Sequence, residues 1–247
     1  VTAVLIGGTM FVLVFGGALG GMYLGKALPE RYLAESRDLV KVGVGLIATM
    51  SALVLGLLIS SAKTSYDNQR NEILQLSAKV VLLDRVLDHY GPEAKAARDV
   101  LKWNVANMID RMWSRNHSPR TQESMVGEIL LDKVQGLSPT NDAQRALQSR
   151  ALNMTIDLGQ TRWLLVAQSH LSMPESFLVA IAFWFCIIFA SFGLSAPRNP
   201  MVMITLLICA ISVSLAVFMI LELDQPFQGI VQISSEPLRN ALAHLGQ

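Results

Sequence analysis

Four stretches of this chain, residues 4–24, 42–61, 177–195 and 202–221, contain no Asp, Glu, Lys, Arg or His. About 20 such residues in helical form cross a hydrocarbon layer of ~30 Å. A soluble core helix rarely stays charge-free for so long, and here the pattern occurs four times. Inside hydrocarbon every backbone amide needs an internal partner, so each stretch is read as a helix. The expectation is an all-α integral membrane protein: four transmembrane helices with a helical extramembrane domain between spans 2 and 3. It divides into a first hairpin (1–62), the helical domain (63–172), a second hairpin (173–223) and a C-terminal extended segment with a short helix (224–247).

The spans take about a third of the 247 residues, which leaves material for one modest domain. A net charge of +1 gives no basic footprint, so nucleic acid is not expected as a partner; membrane lipid is. Cys186 and Cys209 both fall inside spans and are read as small buried apolar residues, not as a disulfide or metal pair. The first span is too long for a cleaved signal peptide and has no basic leader ahead of it in the given sequence.

The first span carries Gly16, Gly17, Gly20, Gly21 and Gly25. Small residues four apart let a neighbouring backbone approach, so these are helix-packing candidates, either against the second span or against another subunit. No βαβ context surrounds them, which excludes a nucleotide-binding loop. The link to the next span carries Lys26, Glu30, Arg31, Glu35, Arg37, Asp38 and Lys41, with Pro29 at the exit of the first helix. The second span has its own small and hydroxyl-bearing stripe in Gly45, Thr49, Ala52, Gly56 and Ser60, which suits either close packing or the wall of a pore.

No Gly or Pro separates this span from residues 63–90. Ile73, Leu76, Val80, Leu83, Leu87 and Tyr90 follow a 3,4 spacing after Tyr66, which is a heptad seam. One helix is therefore expected to run out of the membrane to Gly91-Pro92, roughly 80 Å from Asp38 at 1.5 Å per residue. Its seam requires cover from a later helix or from another copy of the chain.

Further helical stripes run through Ala94, Ala97, Leu101, Val105, Met108 and Met112, and through Ala143, Leu147, Ala151, Met154, Leu158 and Leu165. A short helix is expected over 121–135, after a break at Asn116–Pro119. Ser138-Pro139-Thr140-Asn141-Asp142 is a helix start, and Pro174 marks the junction to the third span. That span is aromatic (Phe177, Phe183, Trp184, Phe185, Phe189, Phe192). The chain ends in a turn, an extended piece and a short helix capped by Ser234 or Ser235, with Leu238, Leu242 and Leu245 on its apolar side.

Enzyme chemistry finds no support. His89, His117, His170 and His244 are scattered without metal-ligand spacing, and no HExxH, Walker loop or nucleophile setting occurs. Neither a cofactor nor a metal is expected. Asp84 and Asp88, with Arg85 beside them, read as a solvated helix face in preference to an acid–base pair. Lys41, Lys63, Glu175, Glu222 and Asp224 lie at membrane edges, where charges either pair or line an ion path.

Residues 42–63 (VGVGLIATMSALVLGLLISSAK), Leu83-Asp-Arg with Tyr90-Gly-Pro-Glu93, 221–229 (LELDQPFQG) and 236–242 (EPLRNAL) together resemble the bacterial bestrophin-like family. The resemblance covers nearly the whole chain. It implies a pentameric homo-oligomer in the bacterial inner membrane that conducts ions, anions by class. The second span would line the pore and the helical domain would be cytoplasmic. Pore-lining candidates are then Gly45, Thr49, Ala52, Leu53, Gly56 and Ser60. No aromatic residue occurs in that span, and the acidic calcium-sensing cluster of animal bestrophins has no counterpart. Flanking charge does not orient the chain. Lys26, Arg31, Arg37, Lys41 and Arg198 on the loop side balance Lys63, Arg70, Lys79, Arg162 and Arg239 on the domain side. A reading of another class stands beside the channel: a non-conducting scaffold or sensor whose helical domain docks a partner.

Overall fold

The computed structural model describes residues 2–27, 30–113, 123–168, 175–197, 199–227 and 229–246. The side chains of 2, 30–37, 123–127, 166–168 and 175 are not among them. Outside the description fall Pro29, the break at Asn116–Pro119, residues 121–122, His117, His170, Pro174 and Arg198, together with the side chains of Glu30, Arg31, Glu35, Arg37 and Glu175. Eight α-helices are described: α1 (Thr2–Ala27), α2 (Glu30–Tyr90), α3 (Lys95–Trp113), α4 (Glu123–Gln135), α5 (Asp142–Gln168), α6 (Glu175–Ser195), α7 (Pro200–Leu223) and α8 (Glu236–His244). A 3₁₀ turn, Pro92–Ala94, joins α2 to α3. The four stretches that are apolar and long enough to cross a membrane lie in α1, α2, α6 and α7.

The chain divides into two compact units. The first comprises Val1–Tyr66 and Ser172–Asp224. Its core is a seam of Ala3, Met10, Val14 and Ala18 on α1, Ile181, Ile188 and Phe189 on α6, and Leu206, Ala210, Val217 and Leu221 on α7. Many large apolar side chains point outward instead, among them Val4, Leu5, Val12, Phe183 and Ile208. In water such a surface would be destabilising; among lipid tails it is not. Of the aromatic residues on α6, Phe189 enters the core while Phe177, Phe183 and Phe192 stay exposed. Cys186 is half-buried and Cys209 is exposed, both with free thiols, so the expectation of burial fails for Cys209.

The second unit comprises Asp67–Leu171 and Gln225–Gln247. The heptad seam of α2 is its centre: Ile73, Leu76, Val80, Leu83, Leu87 and Tyr90 are buried by the chain itself. Tyr66, which begins the expected seam, is only half-buried. On α3 the buried set is Ala97, Leu101, Val105 and Ile109. The stripe therefore turns to Ile109, and Met108 and Met112 remain at its edge. On α5 the buried positions are Ala151, Thr155, Leu158, Thr161 and Leu165. Ala143, expected in this stripe, is exposed. The two threonines satisfy their hydroxyls on the carbonyls of Ala151 and Asp157, which lets polar residues sit at core positions.

Helix ends are closed by side chains, at the expected start near Asn141 and at Ser234, and also by Gln144 and Gln148, which the sequence pattern does not single out. Gly91 takes φ 125° and begins the turn that Pro92 enforces, a conformation that an L side chain would strain. The Gln144 side-chain amide donates to the Tyr90 carbonyl at 3.1 Å, closing the end of α2. Asn141 Oδ1 accepts the Gln144 N–H at 2.8 Å, and Gln144 Oε1 accepts the Thr140 N–H at 2.8 Å, so a reciprocal cap starts α5. Gln148 donates to the carbonyls of Val134, Gln135 and Leu137 at the end of α4. At α8 the Ser234 hydroxyl accepts the Glu236 N–H, and the buried side is Leu238, Ala241 and Leu245, with Leu242 half-buried.

The segment before α8 is held by Trp113. Its indole N–H donates to the Ile233 carbonyl at 2.7 Å, and its ring meets Phe227 edge-on at 5.5 Å. Trp113→Phe keeps the ring contact and removes the donor. A loss of about 1 kcal/mol is expected from the hydrogen bond. Faster amide exchange confined to residues 229–236 would register it; unchanged exchange there would refute the anchoring role.

The uncovered face of the second helix

The membrane part of α2 differs from its neighbours in how little its own chain covers it. Of its apolar window 6% of residues are buried, against 28%, 28% and 33% in α1, α6 and α7. Where α2 does touch the core, it uses Val44, Ile47, Ala48, Val54, Leu55 and Leu58, with Ser51 fully buried among them. The Ser51 hydroxyl is satisfied on the Ile47 carbonyl at 2.7 Å, so it adds no unpaired polar group to the seam.

Gly45, Thr49, Ala52, Leu53, Gly56 and Ser60 are all exposed. At about 100° per residue, their mean direction lies roughly 150° from that of the packed set. A Cβ added at Gly45 or Gly56 would meet nothing within 4 Å. Close packing inside the chain therefore does not explain these small residues. Thr49 Oγ1 donates to the Gly45 carbonyl at 2.7 Å, so its hydroxyl retains acceptor capacity on the uncovered face. Leu53 is the bulkiest member of the stripe and is 68% exposed.

The edge charges are placed as follows. Lys41 is exposed and lies 3.9 Å from the Asp38 carboxylate, in a geometry that water screens. Lys63 is exposed and sits one turn past Ser60, on the same side of the helix as the stripe. Glu222 at the end of α7 is buried, 4% exposed, and Asp224 next to it is half-buried.

The glycines of α1 find a different partner from the expected one. An added Cβ at Gly17 would stand 3.0 Å from Cys186 Sγ, at Gly25 2.9 Å from the Leu194 carbonyl oxygen, and at Gly21 inside the Ala190 carbonyl. Residues 17, 21 and 25 thus press against 186, 190 and 194, and Gly193 presses back on the Ala18 carbonyl. The neighbour is the third span, α6, and not the second span. The glycines of α1 recur at spacing four, and Cys186, Ala190 and Gly193 on α6 are small enough to let the two backbones approach. Gly16 and Gly20 face open space.

The second unit holds an ion cluster where the sequence pattern alone suggests a solvated face. Asp84 is buried, 2% exposed, and accepts two bonds from Arg98 of α3, Nε to Oδ1 at 2.8 Å and Nη2 to Oδ2 at 3.0 Å. Arg98 also binds Asp88, and the Gly246 N–H lies 3.3 Å from Asp84 Oδ2. Donation to the Asp84 carboxylate raises the pKa of the Arg98 guanidinium above its ordinary value, against the opposing effect of burial. The solvated-face reading fails for Asp84 because it lies beside Leu83, four residues from Val80 and three from Leu87, on the buried side of the wheel. Among the described residues no group of His, Cys, Asp and Glu could hold a metal ion.

Four long apolar helices with an outward-facing apolar surface define the class: this is an integral membrane protein of helical type. The Bestrophin-like domain matches residues 12–238, and the chain belongs to that family. The fold is shared with two solved structures of single-residue variants of a bacterial bestrophin homologue from Klebsiella pneumoniae. The first is 13% identical with a TM-score of 0.66, covering 96% of this chain and 99% of that one. The second is 14% identical with a TM-score of 0.61, covering 95% and 99%. No curated protein matches the chain.

Proposed function

We propose that this chain is the subunit of a homo-oligomeric ion channel whose axial path is walled by the membrane part of α2. The observation that carries the reading is the stripe Gly45, Thr49, Leu53, Gly56 and Ser60, which lies opposite the packed seam and is left uncovered by the chain itself. Membership of the bestrophin-like family supports a channel-type function. A ring of α2 helices around an axis would present small residues and hydroxyls to the permeant ion, with Leu53 as the narrowing element. Anions are the favoured class. Lys63 stands one turn beyond Ser60 on that face and places a basic group at the mouth.

Halide efflux from liposomes containing the purified oligomer tests the reading. Flux is expected from the wild-type chain, with Thr49→Cys blocked by a water-soluble thiol reagent in a Cys186→Ala/Cys209→Ala background. Lys63→Glu is expected to move the reversal potential toward cations by tens of millivolts under an asymmetric salt gradient. A sealed oligomer under every ionic condition would favour the non-conducting scaffold or sensor instead. Flux unaltered by modification at Thr49 would remove α2 from the wall.

A further inference from the structure

Between the end of α1 and the start of α7 lies a cavity of about 520 Å³, lined by Met22, Asn199, Pro200, Met203 and Ile204. It falls within the ~300–1,000 Å³ range of small-molecule sites.

The cavity follows from how α1 packs. The two helices run antiparallel and touch closely at the far end, where a Cβ on Gly7 would stand 3.3 Å from Phe218 Cβ. Over its last turns α1 is drawn onto α6 by Gly17, Gly21 and Gly25. Contact at one end with α7 and capture at the other by α6 leaves a wedge between Met22 and Met203. Leu206, one turn further along α7, belongs to the core.

The wedge lies at the edge of the hydrocarbon. Met22 is five residues from the end of α1, roughly 7 Å along the axis at 1.5 Å per residue. The mostly apolar lining at that depth suits an apolar occupant. The rim supplies the complementary charge. Lys26 is one turn beyond Met22 on the same face, exposed and in the last turn of α1; Tyr23, 76% exposed, lies beside it, and Asn199 is the polar residue of the lining. Tyr and Lys at this height suit the headgroup region, the lysine reaching outward along its own stem.

From this geometry we infer that the wedge is a binding site for one glycerophospholipid, its acyl chain between Met22 and Met203 and its phosphate on Lys26. The inference does not depend on conduction. The test is native mass spectrometry of the full-length oligomer, extracted with mild detergent from vesicles of phosphatidylglycerol and phosphatidylcholine. One retained phospholipid per chain is expected, with phosphatidylglycerol enriched. Met203→Trp fills the wedge and is expected to lower retention at least fivefold, while Met201→Trp, exposed and outside the lining, leaves it unchanged. Lys26→Gln is expected to abolish the enrichment of phosphatidylglycerol. Wild-type lipid counts in folded Met203→Trp would overturn the site. So would a loss of oligomer mass in that variant with lipid counts unaltered, which would make a second copy of the chain the occupant.

Discussion

Gly21→Val is expected to lower the unfolding temperature of the detergent-solubilised chain by about 6–12 °C. The added Cβ would fall inside the Ala190 carbonyl, which is backbone and cannot rotate away, so the α1–α6 crossing must widen along its length. Overpacking of this kind costs roughly 1–3 kcal/mol, and a rigid backbone obstacle places this case at the upper end. For a chain of this size each kcal/mol corresponds to about 2–4 °C. Gly20→Val is the control on the same helix turn: its Cβ would meet nothing within 4 Å, and a change within about 0.5 kcal/mol is expected. Gly193→Val should resemble Gly21→Val, since it strikes the Ala18 carbonyl from the other side of the same crossing. The double variant should cost less than the two singles together, because the first widening already relieves the second clash. Equal losses from Gly20→Val and Gly21→Val, read by thermal circular dichroism, would show that helix propensity and not the crossing governs the effect.

Periodicity is what made the fold legible. Charge-free runs of helical length gave the four apolar helices, and an unbroken 3,4 spacing carried α2 to Tyr90, where Gly91 and Pro92 end it. What periodicity does not encode is which helix supplies the partner. The α1 glycines announced close packing, yet the complementary Ala190, Leu194 and Gly193 lie more than 160 residues away, and only the folded chain pairs them. The candidate stripe on α2 was legible as residues, whereas its exposure opposite the packed seam required the structure. Asp84 departs from its expected exposure for another reason. A charged residue is assigned to solvent by default, and the default fails when a partner from another helix meets it. Arg98 lies next to buried Ala97, so the wheel of α3 held the second half of that information.

Arg98→Met is expected to destabilise the helical unit by about 3–5 kcal/mol, because it strands a carboxylate that is 3% exposed at its side chain. The Gly246 N–H at 3.3 Å from Asp84 Oδ2 is too long a bond to replace two charge-assisted ones. Asp84→Leu should cost less, nearer ~3 kcal/mol, since Arg98 is 19% exposed and keeps Asp88. The double variant Asp84→Leu/Arg98→Met removes both charges and leaves apolar groups of similar bulk; it should recover most of the loss, as replaced buried pairs do. Urea unfolding of the four chains closes the cycle, with a coupling energy of about 2 kcal/mol or more expected. Exposure decides this expectation. Arg145–Asp142 has a comparable short contact but side chains 69% and 96% exposed, and deleting it should cost no more than about 1 kcal/mol. If Asp84–Arg98 proves as weak as that pair, burial does not strengthen it, and the cluster is not what fastens α3 and residue 246 to α2.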